Sequence, residues 1–444
     1  MVLKVFRIIK NHPKKIIFFS SVIGFAGRYG KQKYDEQCLM RAYCEEASKF
    51  GDELYHLGDE ERHITVILNP AANNGKCSSK YEKYCAPLFH LAGMKVAVMK
   101  TEYENQAKEI MNVMDNTHGV VVAGGDGTLS EVLTGLLRRE DSSTACRKFP
   151  LGILPLGVSN SAASSIWGFN KTPEVEHLAE ATMSIIKNFR RGMDVIEVTP
   201  FEEGENKKPV YAASQIEWGA FRDAEVRKSV YWYWSFLKTY MVYVFSSYKD
   251  LSWNCSADIK YCHPCSGCCK CKEKEQREYL EALKKKPRRW WEAFIPRSKN
   301  NSEEEHIDYS TIINEKCGEI QDLSLSNVCD VRIVSSNSTK AQNINGYSLS
   351  LQIGKEDLSS FDFIKEGWRR ERGYKPTIDN EFIVGEIFLN PSDNVLKDKA
   401  GEDRKLSIDN ENFEVKPMKI RPKENAVTIF APPKLKPALN QEIA

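Results

Sequence analysis

The sequence predicts an α/β N-terminal domain, with a parallel sheet in three layers, followed by a mainly antiparallel β domain. Three observations predict it. From Ile64 to Leu154, short apolar runs alternate with segments of helical periodicity, the pattern of a parallel sheet with crossover helices. Three of those runs end in loops rich in glycine and asparagine, as do strands whose carboxyl ends form a ligand crevice. From Asp194 onward the pattern changes to shorter β-like runs divided by turn signals: Val195–Val198, Val210–Ala213, Val331–Val334, Ser348–Ile353, Phe382–Ile387 and Val427–Phe430.

A chain of 444 residues suffices for two or three domains, and 41% hydrophobic with 28% charged residues is the composition of a folded protein. The 63 lysines and arginines nearly balance 61 acidic residues, so the charge gives no footprint of a nucleic-acid partner. Thirteen cysteines, six of them between Cys255 and Cys271, do not form the dispersed pattern of a secreted disulfide scaffold.

Residues 1–34 carry only basic charges, and the apolar run IIFFSSVIGFAG lies between Lys15 and Arg28. As a helix that run is about 18 Å long, short of the roughly 30 Å hydrocarbon core. Basic, acid-free composition fits a mitochondrial address that stays as a shallow membrane attachment. Residues 35–60 read as a charged helical connector. The strand Ile64–Leu68 then runs into Asn69-Pro70-Ala71-Ala72-Asn73-Asn74-Gly75-Lys76, a polar turn that offers a cation to a phosphate. Lys95–Lys100 is a strand, and Asn105–Met114 a helix with one apolar face.

The centre of the domain is GVVVAGGDGTLSEVLTGLLRR, from Gly119 to Arg139. A buried strand, 119–123, is followed by Gly124, Gly125, Asp126 and Gly127, and then by a helix from Thr128. Thr128 and Glu131 have the spacing of a capping box. Glycines at a strand-to-helix junction let backbone N–H groups approach an anion. Asp126 then suits proton abstraction from an attacking hydroxyl, or a metal ion. The strand Leu151–Leu154 ends in Pro155-Leu156-Gly157-Val158-Ser159-Asn160.

GGDGT resembles the nucleotide-binding signature of diacylglycerol and sphingosine kinases and, more distantly, of NAD kinases and phosphofructokinases. Asn69–Lys76 is similar to the NPxxNxGK element of the diacylglycerol kinase catalytic domain. Pro155–Asn160 looks like the PLGxxN element of lipid kinases, which NAD kinases lack. Trp218-Gly219-Ala220-Phe221-Arg222-Asp223-Ala224, ahead of an aromatic segment to Tyr248, resembles the substrate segment of acylglycerol kinases. Asp409-Asn410-Glu411 looks like the late Asp-x-Glu element, with Asn410 in place of the usual glycine.

The resemblance implies transfer of the ATP γ-phosphate, with Mg²⁺, to the hydroxyl of monoacylglycerol and diacylglycerol. Under it, Asp126 is the first choice for base or metal ligand and Asp409 the second. Asn69, Asn73, Gly75, Lys76, Gly124, Gly125, Gly127, Thr128, Pro155, Gly157, Asn160 and Glu411 hold the nucleotide. Asp223 and Trp218 meet the lipid, and the aromatic segment is an acyl-chain wall or an ordinary buried helix. The family also implies the mitochondrial inner membrane facing the intermembrane space. Two rivals stand beside the kinase reading: a kinase-independent subunit of the inner-membrane carrier translocase, and a sphingosine or ceramide kinase.

Cys262-x2-Cys265-x2-Cys268-Cys269-x-Cys271, with Cys255 and His263 nearby, suits zinc or a redox-active insertion equally. Trp290 and Trp291, beside basic residues, suit a membrane interface. The expected division is 1–60 for targeting and connector, 61–193 for the nucleotide domain and 194–430 for the lipid domain. An insertion occupies about 254–310 of the last, and 431–444 form a tail.

Overall fold

The computed structural model describes residues 13–52, 62–168, 174–201, 208–248, 251, 255–265, 268–271, 273, 277, 314–315, 317–335, 348–392 and 404–432. Trp290, Trp291, the polar stretch 298–306 and the tail beyond 432 lie outside the described residues.

Four strands, β1 (His63–Leu68), β2 (Lys95–Lys100), β3 (Val120–Gly124) and β4 (Leu151–Pro155), pair in parallel in the order β2-β1-β3-β4. All five residues of both β3 and β4 are buried, whereas the edge strand β2 is largely exposed. That explains the unbroken apolar runs of the inner strands. Alternate residues of β3 enter two different cores: Val120 and Val122 on one face, Val121 and Ala123 on the other.

A 39-residue helix, α1 (Pro13–Gly51), begins the described chain. The first face of the sheet is covered by α2 (Gln106–Val113) and α3 (Asp126–Leu137), whose Leu129, Leu133 and Leu136 are fully or almost fully buried. Beyond β4 lie α4 (Ser161–Trp167) and α5 (Glu174–Ile186), and α5 packs on the second face together with the carboxyl half of α1. This is the expected three-layer arrangement. As far as Gly51, the charged connector is one continuous helix with the apolar run before it. Ala47 of α1 is fully buried, while Ile23, Phe25 and Tyr29 near its start are 56–75% exposed.

The remaining strands are β5 (Arg190–Pro200), β6 (Val210–Ala212), β7 (Gln215–Gly219), β8 (Cys255–Cys262), β9 (Ile320–Val328), β10 (Asp330–Ser335), β11 (Leu349–Ile353), β12 (Asn380–Val384), β13 (Glu386–Pro391), β14 (Lys405–Ile408), β15 (Glu411–Glu414) and β16 (Met418–Phe430). One sheet of six runs β12-β11-β10-β7-β14-β15, entirely antiparallel. The run Phe382–Ile387, expected as one strand, is two: Gly385 divides it, and β12 and β13 enter different sheets.

β16 joins the two halves. Its first residues pair antiparallel with β5 and β13, and Ile429 pairs in parallel with Leu151 of β4. The sheet order therefore continues β4-β16-β13-β8-β9. The parallel sheet of the first half is thus continued by β16, a strand from late in the chain.

Three helices complete the second half: α6 (Ala220–Arg227), α7 (Lys238–Ser246) and α8 (Ser360–Glu371). The aromatic segment before α7 is a 3₁₀ turn, Trp232–Leu237, and only part of it is interior. Tyr243 is 1% exposed, but Trp232 is 75% and Tyr233 61% exposed. The segment is therefore not a uniformly buried helix.

Candidate active site

Parallel strands β1, β3 and β4 deliver their following loops to one edge of the sheet. In the first loop Asn73, Asn74 and Gly75 all have positive φ, at 55°, 54° and 80°. Asparagine and glycine tolerate that left-handed backbone best. Asn69 Oδ1 accepts the Ala71 N–H at 3.1 Å, and its Nδ2 donates to Thr128 Oγ1 at 3.0 Å. Asn69 thereby ties the first loop to the start of α3.

The glycines of the second and third loops serve close approach. A Cβ on Gly157 would lie 2.3 Å from the Gly125 Cα, and one on Gly127 would lie 2.7 Å from Glu411 Oε1. Helix α3 starts at Asp126, two residues before the expected cap, and the capping box does not form. Thr128 is engaged by Asn69, and Glu131 accepts the Asn105 N–H at 3.1 Å instead. The first-turn amides of Gly127 and Thr128 have no carbonyl four residues back within the helix.

Asp126 is 3% exposed. Its Oδ2 accepts from Ser159 Oγ at 2.7 Å, Ser161 N–H at 2.8 Å and Asn410 Nδ2 at 3.0 Å, and its Oδ1 from Ala162 N–H at 3.1 Å. Two of those donors are first-turn amides of α4, so the carboxylate caps a helix from across the site. Four donors thus converge on this one carboxylate. Asn160, expected to face the nucleotide, folds back on its own loop, bonding the N–H and the carbonyl of Gly157 at 3.0 and 3.1 Å.

The β14–β15 hairpin comes from the other half. Its two-residue turn, Asp409-Asn410, has φ of 47° and 68°, the type I′ geometry that asparagine favours. Asp409 is 1% exposed, and its carboxylate accepts the N–H groups of Ala213, Ser214 and Gln215, the last two at 3.0 Å. Burial, and then the charge of Asp126, push its pKa up to about 7. Enclosed in this way, Asp409 fixes the hairpin and is not among the residues that line the cleft.

The three loops and the hairpin enclose a cleft of about 670 Å³. Asn69, Asn73, Gly125, Asp126, Gly127, Thr128, Gly157 and Glu411 line it, as expected of them. Gly75, Lys76, Gly124, Pro155 and Asn160 are not part of the lining, and Lys76 is exposed. Trp218 is a core residue of β7, 3% exposed. Sequence reasoning missed Glu104, Glu131, Asn410, Asn412 and Phe413, which also line the cleft. Position within the Asp-x-Glu element was a signal for the hairpin residues; Glu104 carried none.

Glu411 differs from the two aspartates. It faces the cleft, and burial, followed by the charges of Glu131, Asp409 and Glu104, raises its pKa to about 7. Burial also raises that of Glu131. A carboxylate with a raised folded pKa binds more protons folded than unfolded between about pH 4.5 and 7, so its cost grows as pH rises through that window. Glu411→Gln is therefore expected to raise the melting temperature relative to the parent at pH 8 but not at pH 5. The difference corresponds to as much as about 3 kcal/mol. Parallel thermal melts of the two proteins across that pH range check it.

Asp223, on α6, accepts from Arg222 Nη1 at 2.9 Å, while Arg222 Nη2 donates to Asn412 Oδ1. Arg222 is 6% exposed. A buried guanidinium thus links Asp223 to the cleft wall, a connection invisible in the sequence. A mainly apolar cavity of about 320 Å³, walled by Val198, Val210, Ile408 and Met418 and also lined by Glu414 and Lys416, shares Asn412 and Phe413 with the cleft.

Three glycine- and asparagine-rich loops at a parallel-sheet edge, joined to an antiparallel β domain, fit the diacylglycerol kinase class. Residues 63–198 match the diacylglycerol kinase catalytic domain, and residues 214–444 match the acylglycerol kinase C-terminal domain. The chain is 32% identical over 429 residues to a Homo sapiens protein named "Acylglycerol kinase, mitochondrial", covering 97% of this chain and 96% of that one. The Mus musculus protein of that name is 32% identical over 430 residues, again 97% and 96% of the two chains. The Xenopus laevis one is 38% identical over 263 residues, 59% of this chain and 60% of that one. The chain belongs to the acylglycerol kinase family.

Proposed function

We propose that this chain is an ATP-dependent lipid kinase of mitochondria that phosphorylates the free hydroxyl of monoacylglycerol and diacylglycerol. The observation that carries the substrate assignment is the apolar cavity sharing Asn412 and Phe413 with the nucleotide cleft. A lipid seated there brings its glycerol to the same wall that carries Glu411. The lipid oxygen attacks the γ-phosphorus as the bond to the ADP oxygen breaks, and the hydroxyl proton passes to the Glu411 carboxylate. The amides of Gly127 and Thr128 face the phosphates at the start of α3. Asp126 and Asp409 hold loops and hairpin in register, and Asp223, through Arg222, positions Asn412.

Several carboxylates around one oxygen-lined cleft, with burial and then the charges of Glu131, Asp409 and Glu104 raising the pKa of Glu411, fit Mg²⁺. They are spread along the wall, which suits an ion that arrives on the triphosphate and takes one or two protein oxygens. Glu104 and Glu131 are the residues placed to hold it, and Mg²⁺ there would neutralise charge on the transferring phosphoryl group.

Purified protein incubated with labelled ATP and a panel of monoacylglycerol, diacylglycerol, sphingosine and ceramide tests the reading. Labelled lysophosphatidic and phosphatidic acid are expected; labelled sphingosine or ceramide alone would reassign the acceptor.

The inner membrane, on the intermembrane-space side, is the proposed site of attachment. Support comes from α1, whose exposed Val22, Ile23, Phe25 and Tyr29 precede the part that packs on the kinase. No helix among the described residues is long and apolar enough to cross a membrane. Exposed Trp232, Tyr233 and Phe361 give the second half an aromatic surface of the kind that sits at headgroups. Deleting residues 1–34 is expected to move most of the protein into the soluble fraction and keep its activity on detergent-dispersed lipid. Full membrane pelleting of the truncated chain at high salt would assign attachment to the aromatic surface instead.

A further inference from the structure

We propose that Cys265, Cys268, Cys271 and Cys317 form a structural tetrathiolate zinc site that clips the two ends of the insertion in the second half. The four Sγ atoms all lie within 4.8 Å of one another. Cys271 and Cys317 are 3.1 Å apart, too far for a disulfide, and Cys317 touches the other three thiols. Four sulfurs about 2.3 Å from a tetrahedral zinc ion are separated by about 3.8 Å, so small adjustments convert this cluster into a closed site.

The topology answers the objection that the cysteine run is too compact. Three of the thiols follow β8, and the fourth comes from 46 residues beyond Cys271, just ahead of β9. β8 and β9 are antiparallel neighbours with Cys262 opposite Ile320, so the ladder itself delivers Cys317 to the other three. The result is the pairing of separated segments that structural zinc sites use.

The surroundings are those of a ligand set. Asn314 Nδ2 donates to Cys265 Sγ at 3.5 Å, as outer-shell donors do to metal-bound sulfur. Lys270 Nζ reaches the Glu315 carbonyl at 3.5 Å, a second tie between the two segments. Cys268 is fully buried. The selection is specific within the run: Cys269 is not among the four, and Cys262 Sγ points to the Glu386 carbonyl at 3.9 Å. Four soft thiolates with no open position favour zinc over Mg²⁺ and a structural role over catalysis. On binding, four S–H bonds give way to four Zn–S bonds and four protons pass to solvent. Closing a loop of this length by a metal clip removes conformational freedom from the unfolded chain.

Metal analysis of the full-length protein, purified under reducing conditions, tests the site. About one zinc per chain is expected. Cys317→Ser and Cys268→Ser should lose it, whereas Cys269→Ser keeps it. Titrating the chelated parent with Co²⁺ should give thiolate-to-cobalt charge-transfer absorption and the visible bands of tetrahedral cobalt, a readout independent of whether the serine variants fold. Zinc-free parent protein that yields no such bands, or zinc retained by Cys317→Ser, overturns the proposal.

Discussion

Glu411→Gln is expected to lower phosphoryl transfer by about 10²–10⁴-fold, the range general acid–base groups contribute. Three features support Glu411 as the proposed base. Glu411 lines the cleft, it lies against Gly127 at the start of α3, and burial raises its pKa to about 7, which suits proton abstraction at neutral pH. Glutamine keeps the shape and removes the basic oxygen. The loss should therefore fall on kcat, with little change in the KM for ATP, and the fold should survive. Steady-state kinetics with varied ATP and varied acylglycerol, together with a thermal melt, make the measurement. A raised KM for ATP at normal kcat would turn Glu411 into a nucleotide contact, and near-parent kinetics would remove it from the mechanism.

Asp126→Asn is expected to cost both activity and stability, which separates it from Glu411. Its carboxylate accepts four hydrogen bonds, including those from the Ser161 and Ala162 amides that begin α4. An amide side chain brings a donor where only donors converge. With hydrogen bonds to a buried charge worth about 1.5–3 kcal/mol each, the variant should lose at least about 2 kcal/mol of stability. The third loop should also loosen, because Ser159, Asn410 and α4 all register on this one group. Chemical denaturation and kinetics on the same preparation check the pair of effects. Undiminished stability with abolished turnover would restore Asp126 as the base, the role its position in GGDGT suggested.

The sequence by itself determined the parallel sheet, the three loops at one of its edges and the change to β structure near Asp194. Each rests on local chemistry: unbroken valine-rich runs must be buried on both faces, and Asn-Asn-Gly fits three left-handed residues in succession. It also determined the family, through elements whose order along the chain is specific. Tertiary structure alone decided which of the expected residues face the cleft. Asp126 lines the cleft while Asp409 and Asn160 do not. The two aspartates take their hydrogen bonds from partners that only the fold brings near, and Asn160 folds back on Gly157. Glu104 and Arg222 show the reverse, since nothing beside them in sequence hints that they reach the cleft or its wall. Strand pairing likewise decided the cysteines: a register that sets Cys262 opposite Ile320 brings Cys317 to a cluster it lies far from along the chain. Spacing in sequence reports the partners a residue has along its own element, and long-range partners, which set solvation and pKa, enter only when the sheets pair.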